Sequence, residues 1–214
     1  MKILITAGPT RERIDPVRYI SNYSSGKMGY ALAEAAVRNG HKVTIVSGPV
    51  SIPPPKSVKT VNVESAADMA CEVRRLAKSA DLIIMAAAVA DYTPAKFAKD
   101  KIKKKNPTLS VKLKKTEDIL AGLGKTKKKG QVLVGFAAET SNLLKNAKSK
   151  LEKKNLDWIV ANEVGKNDRG FSSDNNAATL ISRDGKKIVI PLQSKKSLAE
   201  KILKIISKTG FPAC

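Results

Sequence analysis

Residues Ser24 to Gly29, with the sequence SSGKMG, form the segment of this chain best suited to hold a phosphate group. They follow an apolar segment and a turn-rich stretch and open an alanine-rich helical pattern, which predicts a helix N-terminus here. Backbone N–H groups and the helix dipole favour an anion at such a position. The segment is not a P-loop, which needs glycine where Ser21 stands and serine or threonine where Met28 stands, nor does it fit G-x-G-x-x-G. On composition alone, an ordinary glycine-containing turn is the alternative.

Two lysine-rich segments are candidate ligands for a polyanion. The run from Asp100 to Lys105, DKIKKK, is either a solvated loop or a mobile flap that closes over phosphates, since lysine carries a compact charge on a flexible stem. Lys150 and Lys154 are four residues apart on one face of a predicted helix. Like charges at this spacing repel each other, and a bound polyanion would reverse that effect. A solvated helix face is the alternative for this pair.

Metal and redox chemistry have few candidate residues. Asp91 comes directly after a predicted buried strand, where it could hold a metal ion or a nucleotide hydroxyl, or cap a turn. The two cysteines, Cys71 and Cys214, are too few for a disulfide framework, which fits a reduced compartment. With a single histidine, His41, the chain has too few soft ligands to favour a zinc site. His41 follows a glycine at a predicted helix-to-strand turn, which favours a structural role.

The elements that must position these residues alternate between apolar strands and helices, which predicts one α/β domain over residues 1–214. We expect a three-layer α/β/α, Rossmann-like arrangement with a mainly parallel sheet and a β-hairpin extension at about 177–190, turning at Asp184 and Gly185. The strands are predicted at 2–7, 42–48, 58–63, 81–94, 109–115, 131–140 and 156–162, and the helices at 27–40, 65–80, 116–125, 141–155 and 194–208. Ligands of open α/β sheets bind beyond the carboxyl ends of the strands, which here are the loops 8–26, 91–104, 136–142 and 162–176.

The net charge of +21 over 214 residues first suggests a nucleic-acid partner. Aromatic residues make up only 4% of the chain, so stacking platforms are scarce, and the lysines are spread along most of the sequence. Attraction of a small polyanion such as a nucleoside triphosphate fits better, and nucleic acid is not expected as the main partner. No apolar run approaches the roughly 18 residues of a membrane span, and the first residues lack the features of a signal peptide. We therefore expect a cytoplasmic protein without a membrane partner.

Six segments of the chain, taken in order, resemble one known family. They read GPTRERIDPVRYISNYSSGKMG, AAAVADYTP, DKIKKK, GFAAET, LDWIVAN and GFSSDNN, and they extend over nearly the whole chain. In this order they resemble the synthetase part of bacterial phosphopantothenoylcysteine synthetase, which in many bacteria is fused behind a flavin-dependent decarboxylase. One of these segments alone would be weak support for the resemblance, whereas six segments in the family's order are specific to this family.

The resemblance implies a ligase of coenzyme A biosynthesis that joins (R)-4'-phosphopantothenate to L-cysteine. CTP would be cleaved to CMP and pyrophosphate through an acyl-cytidylate, and CTP is expected over ATP because the motifs resemble the bacterial class. Since a carboxylate is a poor electrophile, such activation must precede attack by the amine, and fixed cations would stabilise the charge that develops. The resemblance also implies Mg²⁺ with the triphosphate, a homodimer in which the partner completes each site, and no FMN in this chain. The hairpin, with its exposed edge, is the candidate dimer contact.

Site residues follow from the resemblance position by position. Asn22 matches the residue that handles the acyl intermediate, Arg18 a nearby arginine, and Lys101 the catalytic flap lysine, with Lys103 and Lys104 as weaker flap candidates. The phosphopantothenate positions are Gly8, Asn22, Ser24, Gly26, Gly29 and Phe171. The nucleotide positions are Met85, Ala86, Ala87, Asp91, Lys101, Glu117, Asp118, Ile119, Leu120, Phe136, Lys150 and Lys154, and Asp91 is the candidate metal ligand.

The chain departs from the family at Glu117, where a proline is usual. Two other classes of protein are alternatives. A nicotinamide-dependent oxidoreductase would need G-x-G-x-x-G after the first strand, and this chain has GPTRER there. A basic nucleic-acid-binding module would show an RNA affinity that falls steeply with salt.

Overall fold

The computed structural model describes residues 1–104, 107–139, 142–163 and 173–209. The helices within these ranges are α1 (Lys27–Arg38), α2 (Ala66–Ala77), α3 (Ile119–Thr126), α4 (Leu143–Lys153) and α5 (Lys195–Thr209). The strands are β1 (Lys2–Ala7), β2 (Arg11–Arg13), β3 (Tyr19–Ser21), β4 (Lys42–Ser47), β5 (Lys59–Asn62), β6 (Leu82–Met85), β7 (Tyr92–Pro94), β8 (Leu113–Lys115), β9 (Val132–Glu139), β10 (Trp158–Glu163), β11 (Asn175–Ser182) and β12 (Lys187–Ser194).

Eight of these strands form one sheet in the order β12-β11-β10-β9-β6-β1-β4-β5. β1 pairs in parallel with β4 and β6, and parallel pairing continues to β5 on one side and to β9 and β10 on the other. The chain runs outward from β1 to β5 and then returns to β6, so the strand order reverses beside β1. Such a reversal creates a crevice at the carboxyl ends of the strands, where ligands bind. The mainly parallel sheet predicted from the sequence is confirmed.

Helices cover both faces of this sheet, which confirms the three-layer arrangement. Successive side chains of a strand point to opposite faces, and β1 shows the result. Ile3 and Ile5 lie in a core with α1 and α5, whereas Leu4 lies in a second core with α2, α3 and α4. No helix among the described residues is both long enough and apolar enough to cross a membrane.

The hairpin predicted near the C-terminus is present as β11 and β12, with a turn that includes Gly185 at a φ of 86°. It is more than an appendage, because β11 pairs with β10 and both hairpin strands belong to the main sheet. The hairpin therefore extends the parallel sheet by two antiparallel strands, and β12 forms one of its edges.

The strand predicted at 81–94 is wrong in its length, because β6 ends after four residues. The backbone that follows bonds to hydroxyls near the end of β1 instead of continuing the ladder. Ala87 N donates to Thr6 Oγ1 at 3.1 Å, and Ala90 N donates to Thr10 Oγ1 at 3.0 Å. The end of the predicted segment forms β7, which pairs with β8 in a small separate sheet, and β8 is also shorter than the predicted 109–115.

The stretch 8–26, predicted as a loop, contains the antiparallel pair β2 and β3. Glu12 in β2 is only 4% exposed, and its Oε1 accepts a hydrogen bond from Ala66 N at 2.8 Å. It thereby satisfies an N–H group at the start of α2, beside the capping box of Ser65 and Asp68. The helix predicted from residue 65 therefore begins with Ser65 as its N-cap, and Glu12 connects the stretch 8–26 to α2.

Candidate active site

A cleft of about 570 Å³ opens at the carboxyl ends of β6, β9 and β10, beside the N-terminus of α1. This is the edge of the sheet at which the sequence predicts a ligand site. The sequence-predicted residues that line it are Ser24, Gly26, Gly29, Met85, Ala86, Ala87, Asp91, Glu117, Asp118, Ile119, Leu120, Phe136, Lys150 and Lys154. Segments far apart in the chain therefore meet around one cavity.

One end of the cleft is formed where α1 begins. Gly26 is the N-cap residue of α1 with a φ of 77°, and Gly8, at the end of β1, has a φ of 74°. A Cβ atom on Gly26 would lie 2.8 Å from Val50 Cγ1 and 3.5 Å from the Cα of Gly8. Only glycine combines the left-handed backbone with such a close approach. The first turn of α1 is thereby fixed at the cleft, where its N-terminus favours an anionic ligand.

Residues 86–90, which we call the cleft floor, follow β6 and are bonded to the stretch after β1. Ala88 N donates to Gly8 O at 2.9 Å, and Ala88 O accepts from Thr10 N at 3.3 Å. Asn22 Nδ2 donates to the same carbonyl at 3.0 Å. Gly8 and Asn22 thus lie against the floor without lining the cleft themselves.

The opposite wall of the cleft carries a charge cluster of Asp118, Lys150 and Lys154. Asp118 is the N-cap of α3, its Oδ1 accepts from Ala121 N at 3.0 Å, and its Oδ2 lies 2.9 Å from Lys154 Nζ. Burial is the largest single effect on the pKa of Asp118 and raises it. The Ala121 N–H and the two lysines together outweigh that effect, so the net shift is downward. The wall therefore holds two cations against one ionised carboxylate, which suits a polyanion.

Glu117 lines the cleft, but its carboxylate forms an ion pair with Arg74 on α2. Both side chains are about half exposed, so the pair contributes little to stability. The residue that departs from the family pattern is therefore tied to the neighbouring helix. Its negative charge is compensated before any ligand binds.

Asp91 is exposed at the rim of the cleft, and its carbonyl accepts from Thr116 N at 3.0 Å. Among the described residues, no three His, Cys, Asp or Glu side chains converge as a metal site would require. Mg²⁺ characteristically binds through one or two carboxylates together with substrate phosphates. The single carboxylate of Asp91 fits an ion that arrives with a triphosphate.

Arg18 does not line the cleft but binds the base of the flap. Its Nε donates to Asp15 Oδ2 at 3.0 Å, and its Nη2 donates to Ile102 O at 2.8 Å. Asp15 Oδ2 also accepts from Ile102 N at 3.1 Å, and its side chain is 0% exposed. The hydrogen bond from Arg18 is the main reason that the pKa of Asp15 is held far below its usual range. The pair fixes Ile102 between the flap lysines.

The flap lysines themselves are exposed. Lys101, Lys103 and Lys104 lie on either side of the half-buried Ile102 in a segment without regular secondary structure, and they do not line the cleft. Phe171 and Lys105 fall outside the described residues. The structure therefore gathers most predicted nucleotide positions but leaves the predicted catalytic lysine at the surface.

The cleft lining also includes polar residues that were not predicted individually as site residues, among them Lys27, Asn162, Asn176 and Lys195. Lys27 stands inside SSGKMG, and Asn162 follows the buried core of β10, so the carboxyl-end rule could have found both. Asn176 and Lys195 reach the cleft only through the antiparallel hairpin and the closing helix, for which the sequence contains no local signal.

The sequence matches the family model of the DNA/pantothenate metabolism flavoprotein C-terminal domain over residues 1–209. It is 50% identical over 206 residues to the Coenzyme A biosynthesis bifunctional protein CoaBC of Bacillus subtilis, a match that covers 96% of this chain and 50% of that relative. The CoaBC protein of Escherichia coli is also 50% identical over 206 residues, with 95% and 50% covered. The chain thus spans about half the length of the curated relatives it matches.

A solved structure shows the same fold with clear sequence similarity. The crystal structure of the C-terminal domain of Coenzyme A biosynthesis bifunctional protein CoaBC is 46% identical, with a TM-score of 0.83 and coverage of 97% of this chain and 94% of that chain. This similarity confirms the fold class predicted from the sequence.

Proposed function

This chain belongs to the DNA/pantothenate metabolism flavoprotein C-terminal domain family, and we propose on that premise that it is a phosphopantothenate–cysteine ligase of coenzyme A biosynthesis. The proposed reaction joins (R)-4'-phosphopantothenate to L-cysteine and cleaves CTP to CMP and pyrophosphate. Residues 1–214 would act as one ligase domain, and FMN has no role in the reaction. A cytoplasmic location is part of the proposal, because a reduced compartment keeps the cysteine substrate as a free thiol.

The observation that carries this proposal is a cation-lined cleft of about 570 Å³ at the strand-order reversal of the sheet. A cavity of this size suits a nucleotide. The start of α1 at one end and Lys150 with Lys154 on the other wall provide two separate positive regions. A ligand with phosphates at one end and a base or acyl chain at the other would occupy both.

The proposed chemistry has two balanced steps. The phosphopantothenate carboxylate attacks the α-phosphorus of CTP and pyrophosphate leaves, which gives an acyl-cytidylate. The cysteine amine then attacks the acyl carbon, CMP leaves, and the amine gives up a proton. Charge develops first at phosphorus and then at the acyl oxygen, so donors and cations near both atoms would lower the barriers.

Asn22 is suited to the second step, because its amide has two hydrogens and one already binds the Ala88 carbonyl. That bond orients the side chain and leaves the other hydrogen for the acyl oxygen. Lys101 would bring a cation to the phosphates when the flap closes. Arg18 would act as a positioning residue, since it fixes Ile102 beside Lys101.

Base selection would fall to the cleft floor and β9. Ala87 N already donates to Thr6 Oγ1, so its carbonyl, together with backbone groups near Phe136, remains to contact the base. We propose CTP over ATP, since a site matched to one base leaves polar groups unpaired with another. The Mg²⁺ in this proposal would be held by the triphosphate and Asp91 and would neutralise phosphate charge.

We also propose a homodimer, with the hairpin edge as the contact. β12 exposes Val189 by 65% and Leu192 by 42% on an edge strand. The competing surface is the rim formed by the two small sheets, which exposes Val17, Tyr19, Tyr23, Tyr92, Phe97, Leu109 and Leu113. Sedimentation of Val189→Lys and Phe97→Lys separates the two surfaces, because only the variant in the true contact becomes monomeric. A monomeric wild-type chain at micromolar concentration would contradict the dimer.

The ligase proposal is tested by pyrophosphate release with CTP, phosphopantothenate and cysteine, each omitted in turn. Sustained release should need all three, whereas omission of cysteine should leave only a single burst from the acyl-cytidylate step. ATP at the same concentration should support much slower turnover. Release that does not depend on phosphopantothenate would contradict the proposal.

A further inference from the structure

Lys195, the first residue of α5, is only 6% exposed and lines the cleft. Lysine is rarely buried to this extent, because removal of an ammonium group from water is costly. Burial is the main reason that the pKa of Lys195 is lowered, and the charge of Lys27 lowers the same pKa further. The fold therefore keeps a cation at a place where its own environment opposes the charge.

Among the described residues, Lys27 and Asp174 are charged neighbours of Lys195 at this end of the cleft. Lys27 Nζ lies 2.6 Å from Asp174 Oδ1, and Lys195 N donates to Asp174 O at 2.9 Å. The Asp174 side chain is 83% exposed, so water screens much of its charge. Counted over the described residues, two lysines lie close to one solvated carboxylate at this end of the cleft.

Both lysines stand at the first position of a helix, where the helix dipole is itself positive. Helix stability favours acidic residues there, yet neither α1 nor α5 has one in its first turn. The starts of two helices and two lysine side chains therefore converge on the same end of the cleft. A dianion at this place would offset all four unfavourable charges at once.

We propose that Lys195, together with Lys27, binds a phosphoryl group of a substrate at the end of the cleft formed by the starts of α1 and α5. This inference rests on the proposed ligase function and adds a residue that the family resemblance does not supply. Two substrates carry such a group, CTP in its triphosphate and phosphopantothenate in its monophosphate. Both substrates offer phosphate oxygens to the lysine, and separate KM measurements distinguish them.

The experiment compares Lys195→Met with Lys196→Met, an adjacent and exposed control on the same helix that loses the same charge. The KM values for CTP, phosphopantothenate and cysteine are measured separately. Lys195→Met should raise one phosphate-bearing substrate's KM by about 10- to 100-fold, the range for a charge-assisted hydrogen bond, and leave the KM for cysteine unchanged. A general structural defect would change all three. Lys195→Gln, measured in parallel, should likewise raise the KM for one phosphate-bearing substrate and leave the KM for cysteine unchanged.

A second arm needs no turnover and so separates this inference from the ligase proposal. Inorganic pyrophosphate and inorganic phosphate should each be tested for a rise in the melting temperature of the wild-type chain. The rise should persist in Lys196→Met and be lost in Lys195→Met, even if the chain proves to catalyse another reaction. Identical behaviour of Lys195→Met and Lys196→Met in both arms would overturn the inference.

Discussion

Replacement of Gly29 by alanine tests how closely the site depends on the contact between α1 and β1. A Cβ atom at Gly29 would lie 2.6 Å from Ala7 Cβ and 3.0 Å from Thr6 O. Carbon atoms in good contact are about 3.5–4.0 Å apart, so α1 must move away by about 1 Å. Ala7 and Thr6 belong to a central strand of the sheet and cannot easily yield.

The energetic cost of Gly29→Ala follows from two opposing effects. Overpacking of a tight contact costs about 1–3 kcal/mol, and alanine recovers up to about 1 kcal/mol inside a helix. A net loss of about 1–2 kcal/mol should lower the melting temperature by about 2–8 °C in a chain of this size. The shift also displaces Ser24 and Gly26 at the cleft. Since a misplacement of about 1 Å can cost about 10²-fold, kcat/KM should fall by about 10- to 100-fold.

Gly122→Ala is the matched control for this prediction. Gly122 lies in α3, and a Cβ there would meet only Glu117 Oε1 at 3.9 Å, an ordinary contact. The same substitution should therefore raise the melting temperature slightly and leave the kinetics unchanged. Thermal unfolding and steady-state kinetics of both variants suffice. If Gly29→Ala is as stable and active as wild type, the α1–β1 contact yields freely and does not position the cleft.

The remaining predictions concern the residues around the acyl group and the flap. Asn22→Asp should accumulate the acyl-cytidylate in quenched reactions, because a carboxylate repels the negative charge that develops on the acyl oxygen. Product formation at the wild-type rate would show that Asn22 does not act in the site. Lys101→Gln should lose about 10²–10³-fold in kcat and keep its melting temperature, since the side chain is exposed; normal turnover would make the flap an ordinary solvated loop. Asp15→Asn should weaken the bonds to Arg18 and Ile102, so trypsin should cut the flap faster; unchanged cleavage would contradict this. Because the folded-state pKa of Asp15 is depressed, its ionised carboxylate contributes fully to stability above about pH 4, the ordinary pKa of aspartate, and this contribution is lost as pH falls further. Urea titrations should therefore show that wild type and Asp15→Asn become closer in unfolding free energy below about pH 4. A difference that stays constant with pH would contradict the depressed pKa of Asp15.

Local patterns in the sequence predicted most of the fold. The mainly apolar runs over 2–7 and 131–140 are signals within a few residues, and they mark β1 and β9 in the structure. The rule that ligands bind beyond strand ends then brought Asp91 and the SSGKMG segment to one site.

What the sequence could not reveal depends on contacts between distant residues. β6 ends early because Thr6 and Thr10, about 80 residues upstream, take the hydrogen bonds of the following backbone. Nothing local in AAAVADYTP signals that. Lys195 likewise resembles any other lysine at the start of a basic helix, and only its burial beside the cleft sets it apart. The Asp15–Arg18 pair was within reach of sequence reasoning, since the residues are three apart.

The hydrogen bonds between the cleft floor and the β1 loop have a consequence for the order of folding. Ala88 and Ala90 bond to partners near the N-terminus across a separation of about 80 residues, so this part of the site forms only after a long chain segment has closed. Contacts of such high sequence separation form slowly. The pocket should therefore be among the last features to be completed, and amide hydrogens of the floor should exchange with solvent as the central strands separate. Substrate binding would then require the complete sheet, and a chain that has formed only its local helices and strands would not bind substrate.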